Sequence, residues 1–251
     1  MSEWFMELVL KTSDAARHRG FESLSLRQNN RCFDTKLRLF SFYSIIRNNR
    51  IEGAYRMTEL YEKLYLKIKS IMNTWCEEGI YAISFFVHPN ESYEYKGFSN
   101  VSSFAVSYNT EYDCEGADRF SEERWNYAFW RQDETLVIDP DDPNELIDLL
   151  FDWYEEQGIV NIGEEDENCY DEDCNYIGKG PVGHYELLQL VSEVAKRLQQ
   201  EGFLEDKFGK KLPIIFHGLE YAWYDIEATK IANINGEADT FLEAMKLLGM
   251  V

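Results

Sequence analysis

The segment IYAISFFV, Ile80–Val87, decides the fold. It is a short, almost continuous apolar run rich in β-forming side chains, which is typical of a strand in the interior of a sheet. Gly79 precedes the run, and the sequence His88-Pro89-Asn90 breaks it. We therefore predict a buried strand here, which other elements must cover.

The segments on either side supply a helix and a second strand. A helix is predicted from Thr58, an acceptable N-cap, to about Glu77, with Gly79 ending it. The segment SSFAVSYNT (Ser102–Thr110) predicts a second strand. The apolar stripe of the helix is Leu60, Leu64, Ile68, Ile71 and Trp75, and one face of the strand carries Phe104, Val106 and Tyr108.

The segment DPDDPNELIDLLFDWYEEQG (Asp139–Gly158) has the clearest helix pattern in the chain. Asp142 is predicted as the N-cap, with Pro143 at the first helical position and Gly158 at the end. The apolar side chains fall at helical spacing, so one face should pack against the sheet. They are Leu146, Leu149, Leu150 and Trp153.

The rest of the chain adds a helix, a strand and two short helices. The segments are HYELLQLVSEVAKRLQQEG, KLPIIFHG, DIEATKIANING and ADTFLEAMKLLG. The order of elements predicts an α+β fold, in which a mainly antiparallel sheet packs against several helices. Residues 57–251 form a single domain in this prediction, with an acidic loop at about 163–175.

Residues 1–56 differ from the rest in charge. They hold ten Lys/Arg against six Asp/Glu, a charge of +4. Since the whole chain has a charge of −21, residues 57–251 carry −25. One permitted codon spelling of Gly20 to Gln28 reproduces the T-arm, acceptor strand and CCA end of a transfer RNA gene, in register. Glu52-Gly53-Ala54 can likewise encode a ribosome-binding sequence before Met57. We expect a non-native extension with the natural start at Met57; the alternative is a genuine basic extension.

Composition limits the class of protein. No run of eighteen apolar residues occurs, and the residues after Met57 lack a signal region, so we expect neither secretion nor a membrane partner. Four scattered cysteines after Met57 suit a reducing cytoplasm. A charge of −25 should repel the phosphates of nucleic acid and favour a basic protein partner.

Several short motifs resemble the bacterial family called domain of unknown function 4303. The segments GIYAISFFV, FAVSYNTEYD, ERWNYAFW and LPIIFHGLEYAWYDIEATKIANIN follow the family's order over most of residues 57–251. The resemblance implies a small cytoplasmic domain without established catalysis, similar to immunity or antitoxin-like proteins. The matching positions are Asn109, Thr110, Arg124, Trp125, Trp130, Ile231 and Asn233.

Two groups of residues are candidates for partner binding. Arg124, Trp125 and Trp130 could form a platform, because Arg and Trp recur at interface hot spots. Alternatively, both indoles fill the core and Arg124 pairs with a carboxylate. The acidic loop could steer a basic toxin to the protein, or it could only maintain solubility. Its candidate residues are Glu164, Glu165, Asp166, Glu167, Asp171, Glu172 and Asp173.

Metal and catalytic alternatives have weaker patterns. Cys169, Cys174 and His184 lack a fourth ligand for zinc, and Asp171 with Asp173 lack the glycine and glutamate of a calcium loop. No metal and no cofactor are therefore predicted.

His217 ends a strand near Glu220, Asp225 and Glu227, where a general acid–base pair is conceivable. No nucleophile with a matching elbow, no Gly-rich phosphate loop and no paired metal carboxylates accompany it. The leading hypothesis is thus a non-enzymatic, immunity-like protein that binds a basic partner. The alternative is a small hydrolase or ligand-binding domain centred on His217, Asp225 and Glu227.

Overall fold

A computed structural model describes residues 57–114, 116–165 and 169–250. The extension predicted for residues 1–56 lies outside the described residues, as do Asp166 and Glu167 of the acidic loop.

The described strands form a four-stranded sheet and a small hairpin. The sheet contains β1 (Ile80–Pro89), β4 (Ser102–Thr110), β5 (Thr135–Ile138) and β6 (Ile214–His217), in the order β5-β4-β1-β6. The hairpin joins β2 (Glu94–Tyr95) to β3 (Phe98–Ser99). β1 pairs antiparallel with β4 and parallel with β6, while β4 pairs antiparallel with β5. The fold is therefore α+β with a mostly antiparallel sheet, and β1 is an interior strand, as predicted.

Helices pack around this sheet. They are α1 (57–74), α2 (Glu122–Trp125), α3 (Glu145–Gln157), α4 (His184–Gln200), α5 (Phe203–Phe208), α6 (Trp223–Ala232) and α7 (Asp239–Leu248), with a single 3₁₀ turn at Tyr127–Phe129. In the part of the chain that the structure describes, no helix combines the length and the apolar character that a membrane crossing requires.

Several local predictions were wrong. The first helix, predicted to run to about Glu77 and to be ended by Gly79, ends at residue 74. Thr58 lies inside α1 and is not its N-cap, because Met57 is already helical. The N-cap of α3 is Asn144 and not Asp142, since the Asn144 side chain accepts a hydrogen bond from the Leu146 amide at 2.9 Å. The edge strand β5, the β2–β3 hairpin and the short helices α2 and α5 were not predicted.

The two faces of the sheet differ in polarity. Ile83, Phe85 and Val87 of β1 point into the main core, where they meet apolar side chains of α1, α3 and α4. The opposite face of β1 presents Ser84 and Phe86, and a second cluster that includes Trp125, Trp130 and Phe241 covers part of that side. The second face is buried and yet rich in hydroxyl groups, since Ser84, Ser103 and Ser107 are all buried there.

Candidate functional site

We call the described residues 163–165 and 169–178 of the acidic loop the acidic hairpin. Its base is fixed by two backbone hydrogen bonds, from the Gly163 amide to the Val182 carbonyl at 2.9 Å and from the Val182 amide to the Glu164 carbonyl at 2.8 Å. Gly163 also lies against β3, because a Cβ on this residue would be 1.8 Å from the carbonyl oxygen of Ser99. The base of the hairpin is thereby joined to the rest of the domain.

The tip of the hairpin is organised around one carboxylate. Asp171 Oδ1 accepts hydrogen bonds from the amides of Asp173 at 2.9 Å and Asn175 at 2.8 Å. Hydrogen bonds from the side chain and amide of Asn175 hold the Asp171 pKa below its usual value. Tyr170 and Tyr176 pair across the tip, with their ring centroids 5.4 Å apart. These hydrogen bonds and the ring pair define the conformation of the tip.

The described carboxylates of the hairpin face solvent. Glu164, Glu165, Asp171, Glu172 and Asp173 are all exposed. Among the described residues, none of these five takes part in an ion pair. Some acids elsewhere are paired, as Glu77 is with Arg131 and Glu111 is with Arg124, whereas others, such as Glu91 and Asp141, are exposed and have no ion pair among the described residues. The structure therefore brings together a set of uncompensated negative charges.

A row of aromatic rings, which we call the aromatic row, connects this hairpin to α6. Its members are Tyr170, Tyr176, Tyr224, Trp223 and Tyr185, and successive ring centroids are 5.4, 6.5, 5.6 and 5.8 Å apart. The Trp223 indole donates a hydrogen bond to the Gly178 carbonyl at 2.8 Å, which fixes the end of the hairpin to the start of α6. Tyr170 and Trp223 are 63% and 40% exposed, so the row offers ring surface to a partner.

One cation of the chain already occupies this surface. The Lys179 ammonium lies 4.4 Å from the centroid of the Tyr185 ring, at the end of the aromatic row. The Tyr185 hydroxyl in turn donates to a carboxylate oxygen of Glu227 at 3.1 Å. Burial, followed by the charge of Glu227, raises the pKa of Tyr185 to about 12, so this hydroxyl remains a donor at neutral pH.

For Arg124, Trp125 and Trp130 the structure has the second of the two predicted arrangements, in which the indoles fill the core and Arg124 pairs with a carboxylate. Both indoles lie inside, with exposed fractions of 3% and 7%. Arg124 forms a two-point ion pair with Glu111, in which its Nη1 and Nη2 lie 2.8 and 2.7 Å from the carboxylate oxygens. The indoles therefore offer a partner almost no surface, although Arg124 lies near the surface.

His217 is completely buried and hydrogen-bonded at both ring nitrogens. Its Nδ1 donates to the Gly218 carbonyl at 2.9 Å, and its Nε2 lies 2.7 Å from Ser84 Oγ. Since a carbonyl can only accept, Nδ1 carries the proton and Nε2 accepts from Ser84. Rings of Phe86, Tyr127 and Trp130 enclose the imidazole, and burial lowers its pKa to about 4.

Among the described residues, no hydrogen bond joins Asp225 or Glu227 to His217. Asp225 Oδ2 accepts from the Ala222 amide at 2.9 Å at the start of α6, while its Oδ1 is buried and has no hydrogen-bond partner among the described residues. Burial raises the Asp225 pKa to about 7, against the opposing effect of that amide. Glu227 contacts Tyr185, and Glu220 is exposed. The partner of His217 that the sequence did not reveal is Ser84.

A second buried histidine also pairs with a serine. His184 Nδ1 lies 3.0 Å from Ser102 Oγ, and burial, followed by the nearby charge of His88, lowers its pKa to about 4. This places His184 in the interior, whereas Cys174 is exposed. Within the described ranges, no group of three or more His, Cys, Asp or Glu side chains is arranged to hold a metal ion.

Three glycines before α4 have the spacing of a nucleotide-binding loop, although no such loop was predicted. Gly178, Gly180 and Gly183 fit G-x-G-x-x-G and open a helix, but no named strand leads directly into them. Each glycine amide already donates within the chain, to the Cys169 carbonyl, the Tyr176 hydroxyl and the Glu186 carboxylate respectively. These amides are not free to bind phosphate.

Comparisons with protein-family models, with curated proteins and with solved structures find no match for this chain. The resemblance to the domain of unknown function 4303 family thus remains a prediction, and the site must be interpreted from its own geometry.

Proposed function

We propose that this protein is a cytoplasmic, non-enzymatic binding protein of the immunity or antitoxin-like kind, whose acidic surface binds a basic protein partner. The observation that carries the proposal is the group of five exposed, unpaired carboxylates on the described part of the acidic hairpin. Their mutual repulsion costs folding free energy, which a cationic partner would offset on binding.

The order of the hairpin supports the same proposal. Hydrogen bonds at the base, at Asp171 and at Trp223 hold the acids in place before any partner arrives. A surface that is already ordered loses less conformational entropy on association, so more of the electrostatic attraction contributes to affinity. A segment that only maintained solubility would not need such a fixed arrangement.

The test compares two variants that lose the same charge. In the hairpin variant, the five acids are replaced by their amides: Glu164→Gln, Glu165→Gln, Asp171→Asn, Glu172→Gln and Asp173→Asn. The control variant carries Glu91→Gln, Glu94→Gln, Asp141→Asn, Asp142→Asn and Glu155→Gln at exposed positions elsewhere. The probe is a synthetic peptide of alternating arginine and glycine, and calorimetry measures its dissociation constant.

We expect the hairpin variant to bind the peptide at least about tenfold more weakly than the wild type, because local charge pairs dominate over net charge at physiological salt. The control variant should bind within about twofold of the wild type, as distant charges are screened. Equal losses in both variants would mean that net charge alone attracts the peptide, which would contradict the proposal.

A second candidate function is a small hydrolase or ligand-binding domain centred on His217, Asp225 and Glu227. The observation that favours it is the contact of 2.7 Å between His217 Nε2 and Ser84 Oγ, since a serine nucleophile requires an adjacent base. Covalent labelling of Ser84 by a fluorophosphonate, and its loss in Ser84→Ala, would support this candidate. Absence of labelling at Ser84 in the folded protein would argue against it.

A further inference from the structure

The chain binds its own arginines in a recurring way. The Arg124 guanidinium carbon lies 3.9 Å from the centroid of Tyr81, and its nitrogens contact Glu111. Arg197 lies 3.9 Å from the centroid of Tyr65, and its Nε contacts Glu201 at 2.7 Å. Each guanidinium thus lies over a tyrosine ring and donates hydrogen bonds to a carboxylate.

A third arginine repeats the arrangement. Arg131 lies 4.8 Å from the centroid of Tyr108, and its nitrogens contact Glu77 at 2.6 and 3.0 Å. The planar guanidinium suits this environment, because it stacks on a ring and still presents its N–H groups to a carboxylate. Three arginines of this chain are therefore bound by the same pair of groups, a tyrosine ring and a carboxylate.

The aromatic row and the acidic hairpin present the same two components, and no arginine of the described residues has a printed contact with them. Tyr170 lies directly beside Asp171, Glu172 and Asp173 in the chain, and its ring is largely exposed. At the other end, Trp223 adjoins Tyr185, whose hydroxyl contacts Glu227. The cation at this end is Lys179, which lies over Tyr185 without an ion pair among the described residues.

We infer that the aromatic row and the acidic hairpin together form a docking surface for an arginine-containing, extended segment of a basic protein. This inference rests on the proposed function and names the chemistry by which the partner is recognised. Arginine side chains of the segment stack on Tyr170 and Trp223 and donate to the neighbouring carboxylates. Lys179 occupies the end of the surface as a weak internal competitor.

The charge of the surface distinguishes this occupant from others that stack on aromatic rings. A nucleotide or other phosphate-bearing ligand would meet the repulsion of five exposed acids. A neutral ligand that only stacks would gain nothing from the carboxylates. An arginine side chain uses both components, since cation–π attraction adds to charge-assisted hydrogen bonding.

The experiment uses the full chain and three peptides. In each peptide glycine alternates with one other residue, which is arginine in the first, lysine in the second and citrulline in the third. Citrulline has nearly the shape of arginine but carries no charge. Calorimetry measures the dissociation constants for the wild type and for Tyr170→Leu and Trp223→Leu. Tyr112→Leu is the matched control, because Tyr112 is 84% exposed and flanked by Glu111 and Asp113 but lies outside the aromatic row.

We expect the arginine peptide to bind more tightly than the lysine peptide and at least tenfold more tightly than the citrulline peptide. Tyr170→Leu and Trp223→Leu should each weaken the arginine complex by about fivefold, the size of one exposed cation–π contact. Tyr112→Leu should leave it unchanged. Lys179→Gln should strengthen it more than Lys210→Gln does, because both remove one charge but only Lys179 lies on the row.

Two results would overturn the inference. One is a citrulline peptide that binds as well as the arginine peptide. The other is arginine binding that is indifferent to both Tyr170→Leu and Trp223→Leu. If the five-acid hairpin variant still loses binding in that second case, the proposed function stands and only the role of the rings fails. If the hairpin variant binds normally too, both fail.

Discussion

The imidazole Nε2 of His217 and the hydroxyl oxygen of Ser84 lie 2.7 Å apart on the buried polar face of the sheet. β1 and β6 pair in parallel, with Phe86 opposite His217 and Ser84 opposite Ile215. This register places the serine diagonally beside the histidine on one face. The hydroxyl satisfies a ring nitrogen that has no access to water, so the pair first of all stabilises the junction of the two strands.

Ser84→Ala should lower the free energy of unfolding by about 1–3 kcal/mol, the cost of a buried acceptor without a donor. Urea denaturation monitored by circular dichroism measures this change. Ser99→Ala is the control, because Ser99 is an exposed strand residue and its substitution should cost less than about 0.5 kcal/mol. Equal, small losses in both variants would contradict the structural role of the pair.

Stability should fall as pH decreases from about 6.5 towards 4. Burial lowers the pKa of His184 and of His217 to about 4, so in this window the unfolded chain binds two protons that the folded chain does not. Asp225 acts in the opposite direction, because its raised pKa of about 7 means that the folded chain keeps one proton which the unfolded chain releases. From these three groups we expect a net loss of about 1.4 kcal/mol per pH unit.

Asp225→Asn removes the opposing proton and should make the loss steeper, by up to about 1.4 kcal/mol per pH unit over the same window. Urea denaturation of both proteins between pH 4.5 and 6.5, roughly the range between the cited pKa values, compares the slopes. The slope is the informative quantity, since the substitution also changes stability at every pH. Parallel pH profiles for the two proteins would show that Asp225 titrates normally.

Arg124→Lys keeps the charge but loses the planar fork that contacts Glu111 and covers Tyr81. We expect a loss of about 1 kcal/mol in the free energy of unfolding, since Glu111 is partly exposed and solvent screens part of the attraction. Arg119→Lys is the comparison, because Arg119 is exposed and covers only Phe120. A lysine at position 124 that is fully tolerated would argue against the importance of the two-point contact.

Gly163→Ala tests the attachment of the acidic hairpin. The new Cβ would lie 1.8 Å from the Ser99 carbonyl oxygen, and the backbone φ of +85° is also unfavourable for alanine. Gly209→Ala carries the same kind of φ, +72°, but meets no atom within 4 Å. Unfolding by urea should show a loss of about 1–2 kcal/mol for Gly209→Ala, from backbone strain alone, and a clearly larger loss for Gly163→Ala.

Local patterns predicted most of the elements, because they depend on the spacing of apolar residues. The run at Ile80–Val87 and the stripe that includes Leu146 and Trp153 identify β1 and α3 without any tertiary information. The start of α3 was wrong because Asp142 and Asn144 are both good caps. Asn144 is the N-cap because of a contact outside the helix, since its side-chain amide also donates to the Val137 carbonyl of β5 at 3.1 Å.

The candidate site was predicted only in part. The exposed acids follow from composition. The arrangement in which Arg124 pairs with a carboxylate and two indoles fill the core was one of the two alternatives stated from the sequence. The pairing of Ser84 with His217 spans 133 residues and depends on strand register, which no local pattern contains. The aromatic row was missed for a similar reason, because Trp223 is brought to Tyr176 and Tyr185 by the packing of α6. The tyrosines that flank the acidic run were its only local signal.

The most direct test of the account is the salt dependence of binding between the arginine–glycine peptide and the full chain. Affinity should fall steadily as the NaCl concentration rises, because screening weakens attraction between exposed charges. The hairpin variant should show a shallower dependence and lower affinity at low salt, while the five-acid control variant keeps the wild-type dependence. Binding that is unchanged by salt, or a control variant that loses as much as the hairpin variant, would contradict the claim that the acidic hairpin binds a basic partner.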